Sequence, residues 1–386
     1  DRREYRQEIY TGYLEKCNHK DSLDNNVNIN DIVRLRTRRA HLLGFGSHSE
    51  YVLDNVMAKT PANVYSLLDE LWTPALNRAK QELEGMKDIR RRESGMDDFN
   101  SWDWWYYSEK VRKEKYNLDQ ETLRPYFALP NVRDGIFELS NRLYGIMFRP
   151  APAPLYNEEC FVYEVLDDDG SHLGILYLDY HPRPGKRSGA WCGSYRGQSY
   201  DGEGNRIAPV VTIVCNFTRP TSTSTPALLS LDEVETFFHE FGHALHSLFS
   251  DVPYKGLRRV ERDFVELPSQ IMENWAVEPE MLRSYAVHYS TGKVIPDNLI
   301  EKIQNSGTFN QGFETTELLA ASFTDMDIHT TKEYTGNIDA ESFEYVSLYD
   351  NRGLIPEIAP RYRYTYFSHI FSGGYSSGYY SYITCL

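Results

Sequence analysis

Phe237-Phe238-His239-Glu240-Phe241-Gly242-His243-Ala244-Leu245-His246 is the stretch on which the reading of the whole chain turns. Ser230 and, three residues on, Glu233 make a capping box, after which Val234, Phe237, Phe238, Phe241, Ala244, Leu245 and Leu248 recur at steps of three and four. That spacing predicts an amphipathic helix. At 3.6 residues per turn, His239 and His243 return to nearly the same azimuth one turn apart, so both imidazoles can converge on one ion. Glu240 falls roughly 100° round from His239, where it reaches a water on such an ion more easily than the ion itself.

This is a zinc hydrolase signature with a mechanism behind it. Zinc held by three protein ligands lowers the pKa of a water in its open fourth position to about 7, and a carboxylate alongside takes the proton. The plainer reading, a helix with two surface histidines, sits poorly with an apolar, capped helix followed by suitable acids. One helix face cannot close a tetrahedral site, so the third ligand belongs to a neighbouring element. Downstream, Val260 to Trp275 again has helical periodicity, and Glu266 and Glu273, seven apart, share a face. Spacing alone does not choose between them. His246, three past His243, competes, but on the same helix it reads better as a local hydrogen-bonding group.

The sequences FFHEFGHALHSLF, ERDFVELPSQIMENWA, FNQGFETTELLAASFTDMD and PRYRYTYFSHIFSGGYSSGYYSY together resemble the M3 family of zinc peptidases. The likeness is greatest to its bacterial peptidyl-dipeptidase (dipeptidyl carboxypeptidase) and oligopeptidase A branch, beside the thimet oligopeptidase and neurolysin relatives, and runs to about Tyr382. It implies a gluzincin-type, neurolysin-like fold, mostly α with a small β-sheet beside the active site. It also implies one zinc ion per chain with Glu266 as third ligand, and Glu273 as the carboxylate that orients a ligand histidine. In the family a glycine-rich segment lies across the cleft from zinc and binds substrate and the tetrahedral intermediate. That carries over to His369, Tyr375, Tyr379 and Tyr382, with Tyr379 and Tyr382 the foremost donors to a developing oxyanion. Read bare, the same segment is equally a flexible aromatic loop in a core.

The activity so implied is removal of C-terminal dipeptides from short peptides, with Glu240 as general base. An endo-acting oligopeptidase of the same family is the alternative. Outside the enzymes, a zinc-stabilised peptide-binding protein without turnover remains. Family members carry a long helical region before the first residues here and continue past Leu386, so the chain reads as one continuous catalytic domain truncated at both ends. Within it, 1–150 is expected to be helical scaffold, 151–220 a small sheet region, and 221–386 the helical catalytic region.

Bulk properties narrow the partners. The 386 residues can bury a large core, and 41% hydrophobic with 25% charged residues is ordinary for a soluble globular protein. A net charge of −15 argues against nucleic acid and anionic membranes. No run of about 18 apolar residues exists to span a membrane. Cys17, Cys160, Cys192, Cys215 and Cys385 are odd in number and lack a CxxC pair, which predicts reduced thiols buried as small apolar groups. They favour the cytoplasm, although family members occur in the periplasm too. A monomer is expected.

Along the chain, helices are predicted over Asp1 to Leu14, Asn30 to Leu43 with a stop at Gly44-Phe45-Gly46, Ala62 to about Ile89 behind Thr60-Pro61, and Val132 to Tyr144. Arg90, Arg91 and Arg92 read as a solvated helix end favoured by the dipole. The Trp102, Trp104, Trp105, Tyr106, Tyr107 cluster reads as packing, not as a ligand platform. From Leu155 to Arg219 the pattern turns to β: Phe161 to Leu166, a turn at Asp169-Gly170, Leu173 to Tyr180, and Val210 to Phe217, with Gly185 to Gly197 a polar loop. A sheet edge there can pair with an extended peptide. Residues 275 to 350 return to helix, with Glu314, Glu317, Asp325, Asp327, His288 and His329 read as structural.

Overall fold

The computed structural model describes residues 2–220, 222, 224–333 and 338–384. Cys385, one of the five expected thiols, lies outside the described residues. The chain forms two compact units that interleave along the sequence: Asp1–Tyr116 with Glu261–Phe264 and Thr308–Leu386, and Asn117–Val260 with Val265–Gly307. The fold is mostly helical with a small mixed sheet, as expected.

In the first unit the organising element is the 34-residue helix Pro61–Ser94. Thr60 caps it by accepting the Asn63 N–H, Pro61 fills the first turn where no N–H is needed, and Gly95 ends it at φ 69°. Its buried stripe of Leu68, Trp72, Leu76, Ala79 and Leu83 packs with Leu319, Ala320, Phe323 and Met326 of the helix Gln311–His329. Gly312 lets the two backbones meet, since a Cβ there would come within 2.4 Å of Ala79 N. The helix outruns the expected end at Ile89, and this corrects the reading of Arg90. Its guanidinium is buried, 5% exposed, and donates to the Asp98 carbonyl (2.8 Å) and carboxylate (2.5 Å). Trp104 is fully buried and stacked on Phe313 at 4.6 Å, the packing role expected of that cluster. The second helix starts earlier than predicted, at Asn26, and ends at Leu42.

The second unit is built on a five-stranded sheet. Its strands are β1 (Met147–Pro150), β2 (Phe161–Leu166), β3 (His172–Asp179), β4 (Trp191–Arg196) and β7 (Val210–Val214), in the order β1-β2-β3-β7-β4; β5 (Ser199–Tyr200) and β6 (Arg206–Ile207) pair separately. Only β3 and β7 run parallel. The predicted loop Gly185 to Gly197 therefore contains a strand, β4, which forms the sheet's outer edge on β7. Four glycines lie within that stretch and the strand's own exposure does not alternate, so its pairing comes from β7, through Val211 and Ile213, not from local propensity. Leu176, Leu178, Val211 and Ile213 are fully buried, and the helix Leu231–Leu248 packs on β7 and β4.

The predicted helix over Val260 to Trp275 is interrupted. A 3₁₀ turn, Arg262–Phe264, precedes the helix Leu267–Ala276, which starts just after Glu266 with Pro268 in its first turn. Cys17, Cys160, Cys192 and Cys215 are free thiols; Cys160 and Cys215 are buried as expected, whereas Cys17 and Cys192 are only partly so. Among the described residues no helix is long and apolar enough to cross a membrane.

Candidate active site

The start of the helix Leu231–Leu248 is fixed by a reciprocal pair of bonds: Ser230 Oγ accepts the Glu233 N–H at 3.2 Å, and the Glu233 carboxylate accepts the Ser230 N–H at 2.8 Å. Its apolar side, including Phe237, Phe238, Phe241 and Leu248, is buried. The side chains of His239 and His243 are thereby left on the partly open face, 19% and 18% exposed, with ring centroids 5.0 Å apart.

Glu266 comes to the same point from the residue before the next helix. Its Oε2 lies 3.3 Å from His239 Nε2 and 3.2 Å from His243 Nε2. Ligands at about 2.0–2.2 Å from a tetrahedral zinc ion stand about 3.3–3.6 Å from one another, and two imidazole nitrogens with one carboxylate are a donor set zinc takes. The residues present therefore fit the ion. Among the described residues no other group of three His, Cys, Asp or Glu side chains converges in this way. Ser269 fastens Glu266 by donating to its carbonyl at 2.7 Å and lying 3.2 Å from its Oε2.

Glu273 sits behind His239 instead of inside the trio. Its Oε1 accepts the Nδ1–H at 2.5 Å, which fixes the tautomer and turns Nε2 toward Glu266. Burial opposes a charge on His239, but the bonds to Glu266 and Glu273 outweigh it and lift the imidazole to about 10. Such a cage of carboxylates calls for a cation, proton or metal. His246 is outside the trio. Burial, then the neighbouring His243, push its pKa down, and among the described residues it has no hydrogen-bond partner on its own helix.

Glu240 is 6% exposed, and its Oε2 is buried without a hydrogen-bond partner among the described residues. Burial pushes its carboxyl upward, against the pull of His239 and His243. A buried carboxylate oxygen left unpaired costs several times what an ordinary hydrogen bond contributes, so it marks a place kept for a group that is not part of the chain.

Gly242, unremarked in the sequence, explains how the second helix reaches the first. A Cβ there would lie 2.3 Å from the Pro268 carbonyl oxygen and 2.6 Å from Ser269 Cα. Its lack of a side chain lets the Glu266 segment ride directly on the histidine helix.

His369, Tyr375, Tyr379 and Tyr382 belong to the other unit and form one aromatic cluster there. Ring centroids are 5.5 Å apart for His369 and Tyr379, 5.1 Å for Tyr379 and Tyr382, and 5.3 Å for the stacked Tyr375 and Tyr382. Tyr379 is 2% exposed, and burial raises its phenol well above the ordinary range, so it remains a protonated donor. The fully buried Asp325 holds the turn beneath them: its carboxylate accepts the N–H groups of Ser377 (2.8 Å), Gly378 (3.0 Å) and Tyr379 (3.0 Å). Ser377 adopts φ 54°, a left-handed conformation stabilised by that carboxylate and by its hydroxyl contact with Ser49 at 2.8 Å. His329 Nδ1 reaches Asp325 at 2.9 Å, and His48 Nε2 reaches Ser376 at 3.0 Å.

With that geometry in hand, comparison with known proteins gives the family. Residues 1–384 match the sequence model of peptidase family M3. The chain is 38% identical over 382 residues to the dipeptidyl carboxypeptidase of Escherichia coli K12, covering 98% of this chain and 56% of that protein. It is 36% identical over 399 residues to the organellar oligopeptidase A of Arabidopsis thaliana (98% and 49% covered) and 34% identical over 394 residues to the oligopeptidase A of Escherichia coli K12 (99% and 57%). The chain belongs to peptidase family M3. It spans about half the length of these curated relatives.

Proposed function

We propose that this chain is the catalytic portion of a zinc-dependent metallopeptidase that hydrolyses short peptides and releases C-terminal dipeptides. The observation that carries the reading is the trio His239, His243 and Glu266, spaced as a tetrahedral ion requires, beside the unpaired Oε2 of Glu240. One zinc ion per chain, held by those three side chains, supplies polarisation of a water and of the scissile carbonyl. Glu240 takes the water's proton at Oε2 and passes it to the leaving nitrogen. Glu273 keeps a proton on His239 Nδ1 and so orients the ring. Tyr379 and Tyr382, with His369 and Tyr375, bind the substrate and donate to the oxygen on which charge develops. The neutral Tyr379 phenol supports that role.

The outer edge of β4 offers main-chain partners to an extended peptide, and its position on the helix that carries Glu240 supports this use. The free thiols support a reducing cytoplasm as the working compartment. The named relatives include both dipeptidyl carboxypeptidases and oligopeptidases, so internal cleavage is the second reading. Mass spectrometry of products from a ten-residue peptide separates successive dipeptide loss from internal cuts. Zinc retained without any turnover would instead indicate a peptide-binding protein.

A further inference from the structure

We infer that Arg262 recognises the free carboxylate at the C-terminus of the substrate. The inference rests on the proposed reading of the His369 to Tyr382 segment as substrate-binding, and it supplies the group that dipeptide release needs. The Arg262 guanidinium lies over the Tyr375 ring at 4.7 Å. It passes so close to the glycine turn that a Cβ at Gly374 would meet its Nη2 at 2.4 Å, and one at Gly378 would meet its Cγ at 3.5 Å. The glycines that make the segment pliable also make room for this side chain.

Its backbone is held in place by the next residue. Asp263, 4% exposed, accepts the Met57 and Ala58 N–H groups at 3.0 and 2.9 Å and the Tyr380 hydroxyl at 2.7 Å. The Asp263 carbonyl also accepts the Thr384 hydroxyl at 3.1 Å. A rigid base thus carries a cation to the face of Tyr375.

What separates Arg262 from its neighbours is that, beyond the Tyr375 ring, no carboxylate or carbonyl among the described residues engages it. Arg361 pairs with Glu317 at 3.6 Å, Arg363 with Glu344 at 2.8 Å, and Arg36 donates to the Ile370 carbonyl at 2.7 Å. Arg262 is exposed and, among the described residues, has neither a carboxylate nor a hydrogen-bond acceptor. An arginine steadied on an aromatic face with its fork free offers parallel donors that match a carboxylate. A peptide carries such a group on its backbone only at its C-terminal end.

The test compares kcat/KM of the zinc-loaded protein and of its Arg262→Met and Arg262→Lys variants on one peptide with a free C-terminus and on the same peptide amidated. The wild type is expected to prefer the free acid. Arg262→Met should lose about 10- to 100-fold on the free acid, mainly through KM, and cleave the amide as before, with Arg262→Lys in between. Equal losses on both substrates would mean that Arg262 serves folding or chemistry, which overturns the inference. A Met variant that keeps the preference overturns it too, while leaving dipeptide release standing. A wild type indifferent to amidation would remove dipeptide release itself, and the inference with it.

Discussion

The His239, His243 and Glu266 trio and the tyrosine segment are assembled by opposite means. His239, Glu240 and His243 lie within five residues of one capped helix, and their carboxylate partners follow close behind, Glu273 34 positions from His239. The tyrosine segment is a chain of turns and single-turn helices whose fixed points come from far away: Asp325, 52 to 54 residues earlier, and His48 and Ser49, 328 residues earlier. The first is nearly complete once a helix forms. The second exists only when a whole unit is folded, so the two should fail under different insults.

Four experiments break or sharpen that contrast. Glu240→Gln should lower kcat on the order of 10⁴-fold, the upper end of what a general base contributes, while zinc content stays at that of the wild type. Loss of the metal together with activity would show that Glu240 serves the cage and not the proton transfer. Asp325→Ala strips three backbone N–H groups and a histidine of their shared acceptor, and should cost about 3–5 kcal/mol in denaturant unfolding. In protein that remains folded, zinc should still bind while KM rises. Glu273→Gln should do the converse, weakening zinc about 10- to 100-fold in a chelator titration with the tyrosine segment untouched.

The smallest effect concerns pH. Burial lifts the Glu344 carboxyl to about 7, against the pull of Arg363 at 2.8 Å. Its ordinary value is 4.5, so the folded state holds the proton more tightly than the unfolded chain does. The stability this confers is complete below 4.5 and is lost as pH rises through about 7. Glu344→Gln should flatten the fall in melting temperature over that window without altering zinc binding. An unchanged slope would place the titration on another group.

The same contrast decides how much could be read without coordinates. The capping box, the buried stripe and both histidines follow from spacing, because helix geometry alone determines them. Glu266 and Glu273 could not be told apart by period. Glu266 is the N-cap of that helix with a helical backbone, so one period runs through both carboxylates and only their distances to the histidine nitrogens separate them. Strand β4 was hidden because its pairing is supplied by β7 while Gly189 and Gly197 flank it with loop-like signals. Arg90 looked like a solvated end for a related reason: its acceptor Asp98 lies past the Gly95 stop, where the chain doubles back. Asp325 carried no local sign of its task, since the amides it gathers belong to a turn with a left-handed serine that sequence would have assigned to glycine.

Residues 261–264 cluster with the first unit although the sequence on either side of them belongs to the second. A fragment of 117–307, cut out to isolate the histidine helix, would keep His239, His243 and Glu266 and still be damaged. Asp263 would have lost the Met57 and Ala58 amides and the Tyr380 phenol, and its bare carboxylate would turn outward into water. The stretch of chain entering Glu266 would then be untethered at its upstream end, so a minimal piece that presents the trio should be designed with a replacement anchor at position 263.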